Sequence, residues 1–142
     1  MRQVKSLFGL VLLTSALFAQ LPEPVAKCQA LLHHGDPATK ACYQALIRST
    51  DPLAQAEGLW HTGDYKSANE LFRVLTKSRE KDPVSRVRWG RMFLERGQAP
   101  DAKAEFDEAL KLNPDYAPAL LGAAIVAGEQ FEGAAIKMPR RR

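Results

Sequence analysis

The stretch "GDYKSANELF" at residues 63–72 recurs 34 residues later as "GQAPDAKAEF" at residues 97–106, with Gly63 on Gly97, Ala68 on Ala102 and Phe72 on Phe106. In each copy a turn glycine leads into a run whose small and large residues, four apart, share one face of a helix. Self-similarity at a fixed period is the signature of a repeat array. Such arrays present extended surfaces that bind other proteins.

Working outward, turn residues fall at short intervals: "HHGDP", "STDP", "HTGDY", "REKDP", "RGQAP" and "LNPDYAP". Between them lie segments rich in Ala, Leu, Glu, Lys and Arg with helical periodicity, and no run alternates with the period of a strand. "DP" and "NP" supply an N-cap and a first-turn proline, and glycines suit helix C-termini. Seven helices are predicted, over 23–34, 37–48, 51–62, 65–79, 83–96, 99–112 and 115–129. Short connections make them antiparallel neighbours. The expected fold is all-α, a stack of antiparallel helical hairpins.

The segment 83–114 resembles a tetratricopeptide repeat, a helix–turn–helix of 34 residues. Trp89, Gly90 and Phe93 match the first helix, and Ala102, Phe106, Ala109 and Pro114 match the second. Gly90 and Ala102 are expected to let the two backbones approach. Residues 49–82 resemble a second copy through Ala56, Leu59, Gly63, Ala68 and Phe72, and Leu120, Ala123, Ala124 and Ala127 resemble a third first-helix. Gln55 departs from the pattern, as does the missing proline after Phe72. The resemblance covers 49–130 and implies a right-handed solenoid. Residues 20–48 have the same grammar without a clean match and read as a degenerate capping hairpin. Residues 131–142 read as a basic tail.

The net charge of +4 sits at the chain ends. Without Arg2, Lys5, Lys137 and Arg140–Arg142, the body carries 14 basic residues against 16 acidic, which argues against a nucleic-acid partner. Residues 1–19 have the form of a secretory signal: two cations, an uncharged run from Leu7 to Phe18, then Ala19. That run is shorter than the roughly 20 residues that span a bilayer. Cleavage after Ala19 and export to the periplasm or medium are expected, with an uncleaved membrane anchor as the alternative. Cys28 and Cys42 lie seven residues either side of Gly35, so the arms of a hairpin carry them to the same height. In an oxidising compartment they are expected to form a disulfide, against the alternative of two buried thiols.

His33, His34 and His61 lack metal-ligand spacing, and no phosphate loop, catalytic triad or nucleophile motif is present. No enzyme, cofactor, metal or small-molecule substrate is expected. The resemblance places a partner-binding groove on the first helices, at Leu53, Glu57, Trp60 and His61, then Val87, Arg91 and Leu94, then Leu121 and Ile125. Leu53, Val87 and Leu121 could equally complete the core. Trp60 is expected to face a partner, because Leu59 already fills the buried place. The function that follows is an exported adaptor for a protein or peptide. The alternatives are a part of a larger enzyme or secretion component and a membrane-tethered structural subunit. The final helix is expected either to self-associate or to mark a truncated product.

Overall fold

The computed structural model describes residues 21–137, so the expected signal at 1–19 and the end of the basic tail lie outside the described residues. Seven helices run in order: α1 (Glu23–His33), α2 (Thr39–Leu46), α3 (Pro52–His61), α4 (Tyr65–Ser78), α5 (Pro83–Glu95), α6 (Ala99–Leu112) and α7 (Ala117–Lys137). Each packs on the next as a stack of antiparallel hairpins, and α1 also touches α3 while α5 touches α7. This is a tetratricopeptide-like helical solenoid.

One turn closes the first three hairpins. Gly35, Gly63 and Gly97 adopt φ of 64°, 95° and 68°, a region that favours glycine. At each, the glycine N–H and the next N–H donate back into the helix: Gly35 to Leu32 and Asp36 to Leu31, Gly63 to Trp60 and Asp64 to Leu59, Gly97 to Leu94 and Gln98 to Phe93. These paired bonds satisfy carbonyls that a helix end would leave open. Starts are as regular where aspartate precedes proline. The Asp51 carboxylate accepts from the Leu53 and Ala54 N–H groups, and Asp82 from Val84.

Ala68, Phe72, Ala102 and Phe106 are fully buried, so the two copies share a core register. Gly90 lets α5 approach: a Cβ there would stand 2.8 Å from the Phe106 ring. Gly122 of α7 meets the same ring. Phe106 therefore fills space left open by one glycine on each of two helices.

Two expectations need correction. The last helix starts at Ala117, because Asn113 holds a turn by accepting from the Asp115 N–H, and it runs beyond 129 to Lys137. Gly128 and Gly133 do not interrupt it. Its repeat-interior positions Leu120, Ala124 and Ala127 are exposed, and Ala119, Gly122 and Val126 are buried instead. In the two preceding copies the corresponding face packs on a second helix, α4 or α6; no second helix follows α7 among the described residues.

The Cys28–Cys42 disulfide is formed, with Cα atoms 5.6 Å apart. Val25, Cys28, Tyr43, Leu46 and Ala54 form a core around it, which ties the least repeat-like hairpin to α3.

Candidate partner-binding groove

The first helices α1, α3 and α5 lie side by side and line a cavity of about 260 Å³. Gln29, Leu32 and His33 come from α1, Trp60 and His61 from α3, and Arg88, Arg91, Leu94 and Glu95 from α5.

Its base is a buried ionic layer. Glu57 is fully buried, and Arg88 grips it with two bonds, Nε to Oε1 and Nη2 to Oε2, the latter 2.7 Å. Opposite, the Gln29 amide, turned with its oxygen toward the guanidinium, accepts from Arg88 Nη1 and Nη2 at 2.6 and 2.7 Å. The guanidinium also lies 4.9 Å from the centre of the Trp60 ring. Burial is the largest influence on the Glu57 carboxyl and works to raise it, but the Arg88 charge and hydrogen bonds together with neighbouring His61 outweigh burial and hold the group below its ordinary value of 4.5. Buried charges are tolerable when paired and hydrogen-bonded in this way.

Trp60 corrects the sequence reading. It is 2 % exposed, packed in the core with Phe72, and its Nε1–H donates to Glu95 Oε2 at 2.8 Å. Only its edge reaches the cavity. Leu53, Glu57 and Val87 are buried as well, so Leu53 and Val87 complete the core. His61, Arg91 and Leu94 remain at the groove wall, joined by Trp60 as floor, while Leu121 and Ile125 lie exposed on α7 away from it.

Gln29, Arg88 and Glu95 were not legible as groove residues. The pair Glu57–Arg88 spans 31 residues between different repeats, whereas repeat alignment compares equivalent positions and is silent about which neighbours meet. Two charged residues on otherwise apolar helix faces were the available signal.

His61 is sandwiched, its ring 3.9 Å from Tyr43 and 4.4 Å from Trp60. Its Nε2 is buried without a hydrogen bond, and the nearest acceptor, Glu57 Oε2, is 3.6 Å away, too far for one. Burial, then the Glu57 charge, pushes the Tyr43 phenol up to about 12. Arg91 is half-buried and forms no ion pair or hydrogen bond with any described residue. Burial and then the Arg88 charge lower its guanidinium from the ordinary value, though arginine stays charged.

Among the described residues no three His, Cys, Asp or Glu side chains are placed to hold a metal ion. No described helix is long and apolar enough to cross a membrane. Tyr65, at the start of α4, lies 4.3 Å under the Arg96 guanidinium. Comparison with known protein families and with curated proteins finds no match for this chain. The groove itself is therefore what speaks to function.

Proposed function

We propose that this chain is an exported tetratricopeptide-type adaptor that holds a partner protein in the groove of α1, α3 and α5, in the cell envelope or outside the cell. The observation that carries the reading is the groove: α1 and α5 present Leu32, Arg91 and Leu94 on an open wall above a buried ionic floor to which α3 contributes Glu57. Rigid floors with apolar and arginine contacts suit protein recognition. Export draws support from the disulfide, since such bonds persist in oxidising compartments, and from the signal-like first 19 residues.

Two experiments test it. Leu32 is 46 % exposed, so Leu32→Gln leaves the fold intact, and affinity capture from envelope extracts should lose one defined protein relative to wild type. Equal recovery by both would overturn the groove as the binding face. N-terminal sequencing of the protein recovered from that fraction should start at Gln20; a chain starting at Met1 would overturn signal cleavage.

A further inference from the structure

Along the groove, side chains stand in layers one helical turn apart. The lower layer is Gln29, Glu57 and Arg88, one from each helix, and it is complete. The next turn brings His33, four residues after Gln29, His61, four after Glu57, and Arg91, three after Arg88. All three line the cavity. Here no described residue provides the paired bonds that Glu57 provides below: Arg91 forms no hydrogen bond or ion pair, although the Glu95 and Glu57 charges act on it, and the buried His61 Nε2 forms no hydrogen bond. Glu95, the nearby carboxylate, is engaged at the rim by the Trp60 indole N–H.

We propose that this upper layer binds an acidic side chain, Asp or Glu, of an extended segment of the partner protein, with its apolar neighbour against Leu32 and Leu94. The inference rests on the groove being the partner site. Three observations support it. A half-buried guanidinium that no carboxylate hydrogen-bonds is best satisfied by a planar, doubly accepting carboxylate, the arrangement Arg88 already makes with Glu57. Leu32 and Leu94 flank this layer with apolar surface. At about 260 Å³ the cavity is smaller than the roughly 300–1,000 Å³ usual for small-molecule sites, so it suits one or two side chains of a longer chain.

The test is selection of phage-displayed random dodecapeptides, C-terminally fused and so without a free carboxylate, on the immobilised chain. Selected peptides should share an Asp or Glu beside an apolar residue and lose binding to the Leu32→Gln variant. As synthetic amides, replacing that acid by its amide should weaken binding about 10- to 100-fold, the range for a charged hydrogen-bonded pair. Arg91→Gln should produce the same loss, with no further loss when both changes are combined, and an unchanged melting temperature, since Arg91 bonds to nothing in the fold. Groove-dependent peptides with no acidic preference would overturn the carboxylate inference and leave the adaptor reading standing. Failure to select any groove-dependent peptide would count against both.

Discussion

Replacing Glu57 by Gln tests the ionic floor with almost no change of shape. Glu57 is fully buried and Arg88 is 4 % exposed. Removing the carboxylate charge leaves the guanidinium buried with only amide oxygens and the Trp60 face around it. Breaking one side of a buried pair costs about 3–5 kcal/mol, a large part of the roughly 5–15 kcal/mol that stabilises a domain. For a chain of this length that lowers the melting temperature by about 10–20 °C. The effect depends on pH. The folded-state value of Glu57 lies below its ordinary 4.5, so as pH falls through 4.5 the unfolded chain takes up the proton first. Stability from this group is thus complete above pH 4.5 and lost as pH drops toward the folded value. Circular-dichroism melts at pH 7 and pH 3.5 should show a wide gap between wild type and Glu57→Gln that narrows in acid. A variant melting within 2 °C of wild type at pH 7 would refute the account of the floor.

Trp60→Ala should cost about 3–5 kcal/mol in urea unfolding, as expected for a large core side chain, and a loss under about 1 kcal/mol would contradict its burial. Alkylation of the denatured, unreduced protein should add nothing at Cys28 or Cys42, and Cys28→Ala with Cys42→Ala should lose about 3 kcal/mol for a loop of this size; two alkyl adducts would end the idea. On α7, Leu121 and Phe131 are 54 % and 76 % exposed, with Leu120 and Ile125 beside them, and no charge occurs from Ala117 to Gly128. In preceding copies the like face packs on a second helix, so α7 of a second copy is the expected cover. Light scattering should show a dimer that Leu121→Lys with Ile125→Lys returns to monomer, whereas a wild-type monomer at high concentration would contradict it.

The fold was legible where one residue type answers one local need. Gly63 and Gly97 fit left-handed turns, Ala68 and Phe72 mark a helix face, and Cys28 and Cys42 flank Gly35 at equal distances; each is a short-range relation. The groove was only partly legible, because its shape depends on how α1 lies across α3 and α5. Trp60 was misread for that reason: Leu59 filled the aligned buried position, and nothing in the repeat pattern shows Arg88 and Glu95 of α5 meeting the neighbouring residue. Arg91, expected in the groove, lines the cavity, but its lack of a hydrogen-bonded carboxylate follows only from where Glu57 and Glu95 are already committed.

The groove as partner site is tested most directly by photo-crosslinking in living cells, with a photoreactive amino acid at Leu32 in the groove or at Val74 on α4. Both positions are exposed, at 46 % and 51 %, so neither substitution disturbs the core. Leu32 should yield one adduct of defined mass with a second protein, and Val74 should not. No adduct at Leu32, or the same adducts at both positions, would contradict the account.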